Sequence, residues 1–101
     1  MKFGMNNQQY EILNKLVIGP LKKQGAQVFI FGSRTGDQHH PYSDVDLLFK
    51  LAPSTLLPSG FIAKIKEDIE ESKFPFKVDL VDDQALANSY RPSVYSQMIE
   101  L

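Results

Sequence analysis

Two aspartates set one residue apart in an apolar run are the feature that most limits how this chain can fold. Asp44 and Asp46 flank Val45, and apolar residues, interrupted by Lys50, continue from Leu47 to Leu51. Side chains alternate across a β-strand, so a strand from Asp44 to Leu51 puts both carboxylates on one face and apolar side chains on the other. The pattern therefore predicts a strand that has one apolar face and one charged face.

The rest of the chain predicts the order helix, strand, strand, helix, strand, helix. Apolar residues recur at helical spacing from about Gln8, and we expect this helix to end or kink near Gly19 and Pro20, because an internal proline removes a helix hydrogen bond. The β-branched and aromatic run from Val28 to Phe31 predicts a buried strand. The remaining expected elements are a helix from Phe61 to about Ser72, a strand from Phe76 to Val81 and a short helix from Ser93. We therefore predict a single α/β or α+β domain over residues 1–101.

Composition agrees with a folded domain and excludes several other classes of protein. Apolar residues make up 43% of the 101 residues, and the absence of cysteine leaves neither a disulfide framework nor a thiolate metal site. The apolar runs are too short to span a bilayer and no signal peptide is expected, so we predict a cytoplasmic protein without a membrane partner. The 11 basic residues are scattered and balanced by 12 acidic ones, which leaves no stripe for a long nucleic acid. A compact anionic ligand held by a metal is compatible with this balance.

A third carboxylate is expected near the first two. Asp79 is set in the apolar strand from Phe76 to Val81, where an unpaired charge is costly. Carboxylates on one face repel, and a divalent cation such as Mg²⁺ or Mn²⁺, which prefers oxygen ligands, relieves that repulsion. Together Asp44, Asp46 and Asp79 predict a two-metal site for a phosphoryl displacement. For Asp44 and Asp46 alone, the alternative is that both point into water at the end of a strand.

A glycine and a serine follow the first strand directly. Gly32 lets a phosphate approach the backbone, and the Ser33 hydroxyl with the amides of the turn can hold phosphate oxygens. An ordinary turn explains the same pair. Arg34 could reach a phosphate or lie solvated in the loop, and Ser43 stands at the entrance to the second strand.

Five other residues can be explained by ordinary positions in a loop, in the core or on the surface. His39 and His40 are expected to be loop residues, because no third metal ligand stands at a suitable spacing. Near the C-terminus, Tyr90, Tyr95 and Met98 could pack in the core or form a partner surface.

The motifs FGSR, SDVDLLF and KVDLVD, in that order, resemble the nucleotidyltransferase superfamily. Within it, the chain is similar to the minimal nucleotidyltransferase (MNT) domains of prokaryotes, from about Val28 to Val81. The resemblance implies a small mixed sheet with helices on one face and the acids on the other. Relatives often read G-S-R-x-x-G, whereas Gly36 here comes one residue earlier.

The resemblance also implies roles for the site residues. Gly32 and Ser33 would bind the nucleoside triphosphate, together with the neighbouring candidates Arg34 and Ser43. The first two acids, Asp44 and Asp46, would bind both metal ions. The third acid, Asp79, would help to bind the catalytic metal and activate the attacking hydroxyl.

The setting implied by the resemblance is a complex with a helical HEPN-domain protein. In such pairs the HEPN protein can be a toxic ribonuclease, and the MNT protein, as in MntA-like antitoxins, transfers AMP from ATP to it. The expected reaction is therefore metal-dependent transfer of a nucleoside monophosphate to a hydroxyl of a partner protein. One alternative is a nucleotide-binding subunit that neutralises a HEPN partner by contact alone. Another is the catalytic subunit of a two-component enzyme that modifies a small molecule such as an aminoglycoside.

Overall fold

The computed structural model describes residues 2–36 and 42–101. A first helical stretch consists of α1 (Asn7–Leu13), a π-helical turn (Asn14–Ile18) and α2 (Gly19–Lys23). The remaining helices and strands are β1 (Gln27–Phe31), β2 (Val45–Lys50), α3 (Phe61–Glu70), β3 (Val78–Asp82), α4 (Arg91–Gln97) and β4 (Ile99–Glu100). Short 3-10 turns follow β1 at Gly32–Thr35 and β3 at Asp83–Ala85. Within the described residues, no helix is long and apolar enough to cross a membrane.

The first helical stretch is distorted at Gly19 and Pro20, but it does not end there. Asn6 caps its start, since its side chain accepts a hydrogen bond from the N–H of Gln9 at 2.8 Å. Near the proline the helix widens into the π-helical turn, where the N–H of Gly19 donates to the carbonyl of Asn14. A Cβ at position 19 would lie 2.9 Å from that carbonyl oxygen. Glycine therefore lets the helix pass the proline and continue as α2.

The strands form one mixed sheet in the order β3, β2, β1, β4. β1 runs antiparallel to β2 and to β4, whereas β2 and β3 run parallel. This mixed sheet with its helices confirms the predicted α+β class. The two-residue strand β4 was not predicted, because two residues show no alternation.

The two faces of the sheet pack against different elements. On one face, α1, α2 and α3 cover the apolar side chains of β1 and β2, with Leu13, Val17 and Ile65 among the buried residues. On the opposite face, Val94 of α4 packs against Phe29 and Leu48. The prediction that all helices lie on one face is therefore wrong for α4, which shares the face of Asp46.

Element boundaries differ from the predictions by a few residues. β3 begins at Val78 and not at Phe76, whose ring packs edge-on against Phe74 with the ring centroids 5.6 Å apart. The last helix begins at Arg91, two residues before the predicted Ser93. These shifts leave the predicted faces of the strands unchanged.

Candidate functional site

The site centres on Asp46 and Asp79, which lie directly opposite each other on the parallel strands β2 and β3. Residues paired in this way present their side chains on the same face of the sheet. The carboxyl of Asp46 is half-buried and lies close to that of Asp79, whose side chain is 43% exposed. The structure therefore brings together two of the three predicted acids at the edge of the sheet.

Electrostatic repulsion is concentrated on Asp46. Burial raises the pKa of its carboxyl to about 6, with further contributions from the charges of Asp79 and Asp44. The nearby cation of Lys77 lowers that pKa, but its Nζ lies 3.7 Å from Asp79 in an exposed ion pair, where solvent screens the charge. A proton or a bound cation near Asp46 would relieve this repulsion.

Gly32 brings the turn after β1 against the carboxyl group of Asp46. Phe31, the last residue of β1, pairs with Asp46 across the sheet, and Gly32 then takes a positive φ of 80°. A Cβ on Gly32 would overlap a carboxyl oxygen of Asp46. The hydroxyl of Thr35 donates to the Gly32 carbonyl at 2.7 Å and holds the turn closed. Glycine is therefore needed here both for its φ and for space.

Arg34 is buried and bonded to two other segments of the chain. Its side chain is 2% exposed, which contradicts the alternative of a solvated loop arginine. Its Nε and Nη2 donate to the carbonyl oxygen of Ser43 at 2.9 and 2.7 Å, and its Nη1 donates to the carbonyl of Phe3 at 2.9 Å. The guanidinium also stacks over the ring of Phe76, 4.1 Å from the ring centroid. Burial lowers the pKa of Arg34, and the charge of Asp44 opposes that shift.

Two clefts meet at Asp46. The first has a volume of about 420 Å³ and is lined by Ser33, Tyr42, Ser43, Asp44 and Asp46. The second has a volume of about 780 Å³ and runs along β3, with Asp46 and Asp79 in its wall. Ser33 and Ser43, two of the predicted nucleotide-binding residues, therefore line one cleft beside Asp46, and Asp79 lines the other.

The acids suit a cation that takes only part of its ligands from protein. Within residues 2–36 and 42–101, no group of three or more acidic or histidine side chains is arranged to hold a metal ion by itself. Asp44 is exposed just before β2, whereas Asp46 and Asp79 form a close pair. Mg²⁺ is commonly bound by one or two carboxylates and completed by water and substrate phosphates. The repelling pair fits such a partly open site.

Other candidate residues lie away from Asp46 and Asp79 or outside the residues that the structure describes. Asp83, which its position after the third strand indicates to be a strand-end or turn residue, is 9% exposed and accepts a hydrogen bond from the Tyr95 hydroxyl at 2.5 Å and from Arg91 at 3.4 Å. Only its position at the end of an apolar strand hinted at this burial. Tyr90 is 64% exposed, and Met98 packs against the cluster around Phe29. The predicted loop residues His39 and His40 lie outside the described residues.

The chain is similar to known proteins both in sequence and in fold. A family model described as "Polymerase beta, Nucleotidyltransferase" matches residues 19–100. A crystal structure from Sulfolobus solfataricus, described as a "putative nucleotidyltransferase", superposes with a TM-score of 0.52 at 14% identity. That match covers 92% of this chain and 78% of the other, and it shows a shared fold. A search of curated proteins found no match.

Proposed function

Because this chain belongs to the polymerase β-type nucleotidyltransferase family, we propose that it transfers a nucleoside monophosphate, AMP from ATP, to a hydroxyl group of a partner protein. The observation that carries the proposal is the direct opposition of Asp46 and Asp79, with the Gly32 turn against the carboxyl of Asp46. A family match alone is compatible with a domain that has lost its site. This chain keeps two acids and a close backbone turn where a nucleotide and a cation would meet.

The clefts on the two sides of Asp46 suggest how the substrates are arranged. The triphosphate would occupy the cleft lined by Ser33, Asp44 and Asp46, where the Ser33 hydroxyl and the amides of the turn donate to phosphate oxygens. Gly32 allows close approach to this turn. The acceptor hydroxyl would enter from the second cleft, beside Asp79.

Asp44, Asp46 and Asp79 would hold Mg²⁺ or Mn²⁺ with the phosphate oxygens. When bound, the cation neutralises the charge that develops on the phosphates during transfer. Asp46 must lose its proton first, so cation binding should weaken below its pKa of about 6.

Asp79 would orient the acceptor hydroxyl and take its proton. In the transfer, the hydroxyl oxygen forms a bond to the α-phosphorus, the bond from that phosphorus to the β-phosphate oxygen breaks, and pyrophosphate leaves. The hydroxyl proton passes to the carboxylate of Asp79. Arg34 would act as a positioning residue, because it ties the Gly-Ser turn to the segment that leads into Asp44 and Asp46.

We propose a helical HEPN-type protein as the acceptor, with the chain acting as its antitoxin in the cytoplasm. The support is the resemblance of the FGSR, SDVDLLF and KVDLVD motifs to MNT domains. Tyr90 and Tyr95 are candidate anchors for such a partner, since both carry exposed aromatic surface.

Intact mass measurement tests the transfer directly. The chain is co-purified with a co-expressed HEPN protein and incubated with ATP and Mg²⁺. The partner should gain mass in multiples of AMP with the wild-type chain and with Asp68→Asn, which changes an exposed acid on α3. It should gain none with Asp46→Asn. A partner that binds but never gains mass would contradict the transfer and leave neutralisation by contact.

A further inference from the structure

β3 ends the sheet on one side, and its outer backbone groups are unpaired within the described residues. β3 pairs with β2 alone, and the carbonyl of Lys77 accepts a hydrogen bond from the N–H of Val45 at 2.8 Å. Since backbone groups alternate in direction along a strand, Asp79 also bonds towards β2, whereas Val78 and Leu80 direct their N–H and C=O groups outwards. Among residues 2–36 and 42–101, no backbone hydrogen bond to Val78 or Leu80 comes from outside the sheet.

The free edge opens into the larger of the two clefts. This cleft of about 780 Å³ lies between β3 and α3. Its apolar wall is formed by Ile65, Ile69, Phe74 and Phe76. Asp46 and Asp79 line the same cleft. A segment bound along β3 would therefore contact apolar side chains on one face and the acids on the other.

We propose that an extended segment of the acceptor protein binds β3 as an additional strand and places a hydroxyl side chain beside Asp79. Neighbouring strands lie about 4.8 Å apart, so a side chain opposite Asp79 on the added strand is within reach of its carboxylate. Free N–H and C=O groups on a sheet edge are the chemistry that recognises an extended peptide backbone. The identity of this segment as the acceptor depends on the proposed function, whereas its binding does not.

The alternation of side chains and charges defines the segment. Residues on its inner face would be apolar, because Val78 and Leu80 point towards the helix side of the sheet where the apolar wall lies. Residues on its other face would include the hydroxyl and, next to it, an acidic residue opposite Lys77. Lys66 on the rim of the cleft adds a second cation. The expected pattern is apolar residues at alternate positions with serine, threonine or tyrosine and an acid between them.

A foreign segment avoids a repulsion that pairing with a second copy of the chain can bring. If β3 of one copy paired with β3 of another with Asp79 opposite Asp79, the two carboxylates would face each other on the same side of the joined sheet. Like charges directly opposite each other are destabilising. The charge on the edge therefore favours an occupant that brings a neutral hydroxyl and an acid opposite Lys77.

Peptide selection followed by amide exchange tests the proposal. A displayed library of random peptides about ten residues long is selected on the whole chain, and the enriched peptides are synthesised with a matched form that is N-methylated at alternate amides. We expect the unmethylated peptides to show the alternating pattern and to slow amide exchange at Val78 and Leu80 by about tenfold or more when saturating. The N-methylated form should bind at least about tenfold more weakly, because it cannot pair as a strand.

A variant provides the reciprocal test on the protein side. Leu80→Pro removes an outward N–H that makes no bond to β2, so the sheet should persist and peptide affinity should fall about tenfold. If that variant does not fold, the N-methylated peptide decides the same point. Lack of any enriched peptide, or peptides that bind without slowing exchange at Val78 and Leu80, would overturn the proposal. Protection of these amides that rises with protein concentration alone would also overturn it, in favour of self-association.

Different results would contradict the proposed transfer of AMP and the proposed docking on β3. Asp79→Asn should keep peptide binding, because the backbone edge is unchanged. A bound serine peptide that protects Val78 and Leu80 but never gains AMP would contradict the transfer and leave the docking in place. Transfer to an acceptor that leaves these amides unprotected would contradict the docking and leave the transfer in place.

Discussion

Arg34 clamps the carbonyl oxygen of Ser43, with its Nε at 2.9 Å and its Nη2 at 2.7 Å. The fork of the guanidinium fits this geometry, and a third bond reaches the carbonyl of Phe3 at 2.9 Å. One buried side chain thus connects the turn after β1, the entry to β2 and the N-terminal segment. The distance between Ser33 and the acids depends on this connection.

The main effect of replacing Arg34 should therefore be a loss of fold stability and not a loss of phosphate binding. Arg34→Lys cannot make the paired bonds to Ser43, and we expect a loss of about 2 kcal/mol in the free energy of unfolding, measured by urea titration. Arg91→Lys, which alters a less buried arginine on α4, is the control and should cost less. If Arg34→Lys weakens ATP binding with no loss of stability, Arg34 contacts the phosphates and does not serve as a clamp.

Gly32 should resist substitution more strongly than Gly25. Both have a positive φ, 80° and 83°, so alanine should cost each about 1 kcal/mol or more in backbone strain. A Cβ at Gly32 also meets the carboxyl of Asp46, whereas a Cβ at Gly25 has nothing within 4 Å. Gly32→Ala should therefore be the less stable variant and should bind ATP with Mg²⁺ more weakly, as thermal melts and calorimetry can measure. Equal losses in both variants would show that the contact with Asp46 is unimportant.

Asp46 should make the metal-free protein more stable in mild acid than at neutral pH. Its pKa rises from 3.8 to about 6 on folding, so the folded state binds the extra proton between these two values. Stability from this group is fully present below pH 3.8 and is lost as the pH rises through about 6. Because the carboxyl is only half-buried, the effect should be about 1 kcal/mol.

The measurement is urea unfolding in a metal chelator across this pH range, for the wild type, Asp46→Asn and the control Asp68→Asn. The difference in the free energy of unfolding between the wild type and Asp46→Asn should change with pH. The same difference between the wild type and Asp68→Asn should not follow that course. Parallel curves for the wild type and Asp46→Asn would mean that Asp46 titrates alike in the folded and unfolded chain.

Asp79 should influence both the chemistry and the titration of Asp46. Asp79→Asn removes the charge and the carboxyl partner that raise the pKa of Asp46, so that pKa should fall below about 6 in an NMR titration of the metal-free chain. The same variant should lose transfer strongly while weakening ATP binding much less, because its contribution comes in the transition state. Unchanged titration of Asp46 together with full transfer would make Asp79 a surface residue.

Local patterns were enough to predict much of this fold. The alternation in Asp44–Leu51 and Phe76–Val81 placed Asp46 and Asp79 on the correct faces, because strand periodicity is a local property. The register that sets Asp46 opposite Asp79 could not be derived in this way, since it depends on how two separate segments pack.

The burial of Arg34 could not be predicted from local patterns either. It stands in a polar stretch, and its partners Ser43 and Phe3 lie 9 and 31 positions away. The π-helical turn before Gly19 was not predicted for a related reason, because the sequence indicated only that the helix would end or kink near Gly19 and Pro20, and not how packing carries it onward. The position of α4 on the acid face depends on tertiary packing of Val94 and not on any local pattern.

Calorimetric titration of ATP, with and without Mg²⁺, tests the central claim most directly. At neutral pH the wild-type chain and the control Asp68→Asn should bind ATP saturably in Mg²⁺. Binding should fall by about tenfold or more in chelator, and by a similar factor in Mg²⁺ when Asp46 is replaced by asparagine. Equal affinity with Mg²⁺ and with chelator, or unchanged affinity in Asp46→Asn, would contradict a cation-assisted nucleotide site at Asp46 and Asp79.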